Sequence, residues 1–108
     1  MGYKLIVSQK ALQMLEQNIA FIAGISKQTA RNRKERIVSA LKKIEEDPQI
    51  YPFFAGEYVP PNKYHKLVVD KRYLVIYQIK DETVYVDYIV DTRQDYQWLI
   101  RQMKGAWR

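Results

Sequence analysis

KYHKLVVDKRYLVIYQIKDETVYVDYIVDTR, residues Lys63–Arg93, decides the fold of this chain. It holds three runs, Tyr64–Val69, Arg72–Lys80 and Thr83–Asp91, rich in β-branched and aromatic residues. Such side chains fit a pleated, half-buried surface. Only Asp70-Lys71 and Asp81-Glu82 separate the runs. Each junction therefore has room for a two-residue turn, and the segment reads as a three-stranded antiparallel meander.

Towards the N-terminus, Tyr3–Val7 reads as a short strand. Ser8 is placed as an N-cap, and Leu12, Leu15, Ile19 and Ile22, with Ala11 and Ala23, recur at helical period. Gly24 stops this helix and Ser26 caps a second one, which runs to about Asp47 before Pro48 ends it. The second apolar stripe is thin: Ala30, Ile37, Leu41 and Ile44, with Val38 and Ala40 at its margins. So short a connection makes the pair an antiparallel helical hairpin.

Gln49–Asn62 carries three prolines and a glycine and reads as a loop pinned by Tyr51, Phe53 and Phe54. Beyond the meander, Asp95–Met103 reads as a short closing helix and Lys104–Arg108 as a basic tail. Without repeats or a shift in composition, residues 1–108 are expected to form a single domain. The expected class is α+β: an N-terminal strand and helical hairpin packed on one face of an antiparallel sheet.

Two-residue turns fix a register by counting. Val69 then faces Arg72, Val68 faces Tyr73, Tyr77 faces Val86, Val75 faces Tyr88 and Arg72 faces Asp91. One face carries Tyr64, Lys66, Val68, Tyr73, Val75, Tyr77, Ile79, Val84, Val86, Tyr88 and Val90, and is expected under the helices. The other carries His65, Leu67, Val69, Arg72, Leu74, Ile76, Gln78, Tyr85, Asp87, Ile89 and Asp91. Half apolar and half charged, it suits a partly open surface for a partner; a bulge in either hairpin would exchange part of the two sets.

The formal net charge of +6 and a pI near 9.5 point to an acidic partner: nucleic acid, ribosome, membrane surface or acidic protein. The absence of cysteine excludes disulfides and thiolate metal sites and fits a reducing cytoplasm. A single histidine argues against a histidine metal centre. There is no Gly-rich phosphate loop, HExxH or GxSxG, and hence no cofactor, small-molecule substrate or nucleophile–base pair to expect. No apolar run approaches the roughly 18 residues of a membrane span, and MGYKLIVSQKAL is too short and polar for a signal peptide.

Arg72 and Asp91 face each other in the counted register, with Arg93 following on the same side. Such a cluster binds phosphate through its guanidinium forks, or is simply a cross-strand ion pair beside a solvated arginine. His65 offers a general acid or base, with Asp87 in the same row past Ile76, or is a structural histidine. The second helix carries Lys27, Arg31, Arg33, Lys34, Arg36, Lys42 and Lys43 against Glu35, Glu45 and Glu46, a phosphate-tracking or merely solvated face. Trp98, Trp107, Arg101, Lys104 and Arg108 make the C-terminus aromatic and basic.

The β-α-α-β-β-β order, the stretch YHKLVVDKRYLVIYQIKDETVYVDYIV and Arg93-Gln94-Asp95 after the last strand resemble the RelE/ParE toxins of bacterial type II toxin–antitoxin systems. The resemblance implies a cytoplasmic toxin neutralised by an acidic antitoxin, with His65, Leu67, Leu74, Ile76, Tyr85 and Ile89 as the antitoxin-binding face. It implies one of two targets. RelE-like members cut messenger RNA on the ribosome, which would employ Arg93, Arg72 and His65; ParE-like members poison DNA gyrase by binding. Arg72, Arg93, Tyr96, Arg101 and Lys104 are the residues expected at either target.

The family's ribonuclease positions fall on His65, Leu67 and Leu74, and its late tyrosine on Leu99, with Tyr96 nearest. Leucines cannot hold phosphate, so the ribonuclease set is depleted, and the long helical hairpin and Arg93-Gln94-Asp95 lean the resemblance to the ParE-like side. A basic nucleic-acid-binding module is the remaining alternative.

Overall fold

The computed structural model describes residues 2–56 and 59–93. The chain runs through β1 (Lys4–Val7), α1 (Gln9–Ala23), α2 (Lys27–Glu46), a 3-10 turn at Pro48–Ile50, β2 (His65–Val69), β3 (Tyr73–Lys80) and β4 (Thr83–Asp91). Both helices start where their caps predict. Ser8 Oγ accepts from the Ala11 N–H at 3.0 Å and Ser26 Oγ from the Thr29 N–H at 3.2 Å. Each satisfies one donor that the first helical turn leaves unpaired. The expected closing helix and basic tail lie outside the described residues.

The sheet order is β1-β4-β3-β2. β2, β3 and β4 form the antiparallel meander, and β1 joins β4 in parallel, Leu5 opposite Val84 and Val7 opposite Val86. α1 and α2 pack together on one face. There Ala11, Leu15, Ile37 and Ile44 meet Tyr73, Val75, Tyr77, Val84, Val86 and Ile89.

The register departs from the count at two places. At the first turn Asp70 and Lys71 are both left-handed (φ 61° and 58°) and the Arg72 N–H bonds the Val69 carbonyl at 3.1 Å, as a two-residue turn requires. Arg72 then stays out of the ladder: Val69 pairs with Tyr73, Val68 with Leu74 and His65 with Tyr77. The shift has a clear physical reason. It sends Leu67 and Val69 to the helices and turns Lys66 away, whereas the counted register would bury the Lys66 ammonium in the core.

The second turn, with Asp81 left-handed at φ 57°, keeps the counted pairs Ile79–Val84 and Tyr77–Val86. Asp87 is then an extra residue, after which Ile76 pairs with Tyr88, Val75 with Ile89 and Tyr73 with Asp91. Ser8 holds this bulge: its N–H bonds the Val86 carbonyl at 2.9 Å and its Oγ donates to the Asp87 carbonyl at 3.1 Å. The cap of α1 thus supplies the partner that the interrupted ladder cannot.

Both faces are corrected as a result. Tyr73, Val75, Tyr77, Ile79, Val84 and Val86 face the helices as expected, but so do His65, Leu67, Val69 and Ile89. Lys66, Val68, Tyr88 and Val90 lie on the far face. The middle of that face is covered, while Val68 at its edge stays 51% exposed. Leu74, Ile76 and Val90 are buried with Val59 and Tyr64, and Phe54, Met14 and Tyr88 pack against them. The proline loop runs back along β2, where Phe54 N–H bonds the Tyr64 carbonyl at 2.7 Å and Lys66 N–H bonds the Pro52 carbonyl at 2.9 Å. Among the described residues no helix is long and apolar enough to cross a membrane.

Candidate functional site

His65 is fixed rather than poised. Its Nδ1 lies 2.8 Å from the Tyr51 carbonyl oxygen, so Nδ1–H donates there. The ring stacks on Tyr77 at 5.3 Å between centroids and sits 4.4 Å from Phe53. Asp87 stays on the far face as expected, where Gln78 Nε2 donates to its carboxylate at 2.6 Å, and His65 is the one that moves to the helix side. The one-residue slip of β2 separates the two. Leu67 belongs to the helix-side core and Leu74 is buried under the loop, so the family's three ribonuclease positions offer no accessible cation.

The expected antitoxin face is divided in the same way. His65, Leu67 and Ile89 point to the helices, Leu74 and Ile76 are covered, and Tyr85 is half-exposed. Burial raises the Asp87 carboxyl above its ordinary value, against the opposing pull of Gln78, Lys63 and Lys80. Burial also pushes Tyr64 up to about 12 and raises Tyr88, in each case helped by the Asp87 charge. Neither phenol ionises near neutral pH.

Arg72 and Arg93 do come together, though not as a cross-strand pair. Tyr73, not Arg72, stands opposite Asp91, and the Thr92 N–H bonds the Arg72 carbonyl at 2.6 Å. Both arginines line a cleft of about 350 Å³ at the tip of the helical hairpin, with Asn18, Phe21, Ile22, Ile25, Ser26, Thr29, Arg33 and Asp91. Asn18 organises its floor. Tyr73 Oη donates to Asn18 Oδ1 at 2.5 Å, Asn18 Nδ2 donates to Asp91 Oδ2 at 3.0 Å, and the Arg93 N–H donates to Asp91 Oδ1 at 2.9 Å. The Arg36–Asp70 ion pair lies elsewhere on the surface.

Against this geometry, the sequence matches the family described as ParE toxin of type II toxin-antitoxin system, parDE, over residues 5–96. The chain belongs to this ParE toxin family. A solved structure, the chromosomal ParDE toxin–antitoxin system from P. aeruginosa, contains a similar chain: TM-score 0.68 at 15% identity, covering 82% of this chain and 95% of that one. At that identity the likeness concerns the fold. No curated protein matches.

As a ParE toxin of a type II system, the chain implies a cognate antitoxin as partner. Of the cleft residues, Asn18 goes unnoticed in the sequence and Arg33 stands there only as one of the charges of the second helix, although both carry a signal. Asn18 falls three residues after Leu15 and four before Ile22, and Arg33 holds the same relation to Ala30 and Ile37. Each is a polar interruption of an apolar stripe. Tyr96, Arg101 and Lys104 lie outside the described residues. On the outer side of α2, Lys27, Arg31, Lys34 and Lys42 are all exposed.

Proposed function

We propose that the chain is a cytoplasmic toxin that stops growth by binding DNA gyrase and trapping it on DNA, and that it does not itself cut RNA. One observation carries this reading: the positions corresponding to ribonuclease cations are a carbonyl-bonded, ring-stacked histidine and two packed leucines. A phosphodiester approaching any of them would meet no free donor. Binding, by contrast, needs only an accessible charged surface. α2 provides one about 30 Å long from its 20 residues, with Lys27, Arg31, Lys34 and Lys42 along one side.

The direct test adds purified full-length chain to gyrase, relaxed plasmid and ATP. Accumulation of enzyme-linked double-strand breaks is the expected outcome. Unaffected supercoiling, together with codon-dependent cleavage of mRNA on ribosomes that Arg93→Ala abolishes, would establish the endoribonuclease reading instead. Salt-sensitive nucleic-acid binding with neither effect would leave only a binding module.

A further inference from the structure

The cleft at the hairpin tip carries more positive charge than its own fold uses. Arg33, Arg72 and Arg93 line it against a single carboxylate, Asp91. Both oxygens of that carboxylate are already bonded, to Asn18 Nδ2 and to the Arg93 N–H. Among the described residues no acidic side chain lies within ion-pair distance of the three guanidinium groups. By contrast Arg36, on the same helix as Arg33, has its partner in Asp70.

The rim is the second observation. Phe21 and Ile25 are 69% and 77% exposed, the highest values for large hydrophobics among the described residues, and both belong to this cleft. A soluble chain rarely combines unpaired arginines with apolar side chains in one concavity unless a ligand meets both. Its volume of about 350 Å³ lies at the small end of the range for ligand pockets.

We propose that this cleft receives an acidic side chain of the partner antitoxin: a carboxylate bound by Arg33, Arg72 and Arg93, with a neighbouring aliphatic residue seated on Phe21 and Ile25. The proposal rests on the reading of the chain as the toxin of such a pair. Guanidinium forks match a carboxylate in a plane. Phe21 and the guanidinium planes are surfaces on which a base can also stack, but the exposed branched side chain of Ile25 suits an aliphatic residue and not a base, which favours a peptide. A net positive chain also attracts an acidic partner at long range, so the cleft would speed association as well as hold the complex.

The test uses the full chain and two probes. In the first arm, arginine- and isoleucine-labelled protein is titrated with a blocked peptide alternating glutamate and leucine, then with its glutamine counterpart, and separately with a short single-stranded DNA. The proposal expects the Arg33, Arg72 and Arg93 side-chain N–H signals and the Ile25 methyls to move together with the glutamate peptide and not with the glutamine one. Movement with the DNA alone would make this a nucleic-acid site and overturn it.

In the second arm, the protein encoded beside this chain is co-expressed and its affinity measured. Arg33→Gln, Arg72→Gln and Arg93→Gln should each weaken binding roughly tenfold, the size of one charge-assisted hydrogen bond. Ile25→Ser should weaken it too, and Arg31→Gln on the outer side of α2 should not. Unchanged affinity in the cleft variants, with a partner still bound, refutes the docking site while leaving the toxin reading intact. Absence of any binding protein overturns both.

Discussion

Asn18→Ala is the most informative single change. Asn18 accepts from the Tyr73 hydroxyl at 2.5 Å and donates to Asp91 at 3.0 Å, joining α1 to the ends of β3 and β4. The alanine variant loses one neutral hydrogen bond, worth about 1 kcal/mol, and one to a carboxylate, worth about 1.5–3 kcal/mol. The site is only partly buried, which puts the second value at its lower end, so the expected loss of stability is about 2–3 kcal/mol. Tyr73→Phe alone should cost about 1 kcal/mol. Because the two changes share a bond, the double variant should fall short of additivity by about 0.5–1 kcal/mol.

Urea denaturation of the four proteins in this cycle gives the number. Additivity within about 0.3 kcal/mol, or a loss below about 0.5 kcal/mol for Asn18→Ala, would show that the network does not hold the cleft together.

Three further outcomes follow from the packing. Tyr77→Phe leaves the buried Pro48 carbonyl without the 2.7 Å bond from the Tyr77 hydroxyl, and should cost about 1–3 kcal/mol in the same assay. Leu74→Lys should prevent folding, since Leu74 is buried with Ile76 and Val90; Val68→Lys, at a position 51% exposed, should stay within about 0.5 kcal/mol, and equal damage from both would refute the β2 register. For Asp87, burial holds the carboxyl above its unfolded value, so the folded state favours the protonated form. The stability this contributes is complete below the ordinary aspartate pKa of about 3.9 and disappears as pH rises through the raised folded value. Asp87→Asn should flatten the stability profile across that window, and an unchanged profile would contradict it.

The elements of the fold were legible because each is dictated locally. Ser8 and Ser26 cap, Pro48 stops, and the meander's turns sit where Asp70-Lys71 and Asp81-Glu82 break the β-branched runs. Register was legible only between Asp81-Glu82 and Tyr77–Val86. Beyond Tyr77 it depends on the Asp87 bulge, and that bulge is held by Ser8, 79 residues away in the chain. No local pattern announces such a contact. The slip of β2 was decided by the cost of burying Lys66, a weighing of whole faces rather than of one turn.

The site divided along the same line. Arg72 and Arg93 were legible as neighbours because the meander brings the end of β4 back beside the first turn. Arg33 and Asn18 reach that place only through the helical hairpin, where their polar positions within apolar stripes had no partner in view. His65 looked chemically able because it is the one histidine, yet the proline loop supplies Tyr51 and Phe53 to fix it.

The most direct measurement of the central claim is induction of the chain in growing cells, reading gyrase-linked chromosome breaks and transcript ends from the same culture. Breaks at gyrase sites and growth arrest with intact mRNA are expected, both relieved by the cognate antitoxin. Codon-dependent mRNA cleavage with an unbroken chromosome would contradict that claim.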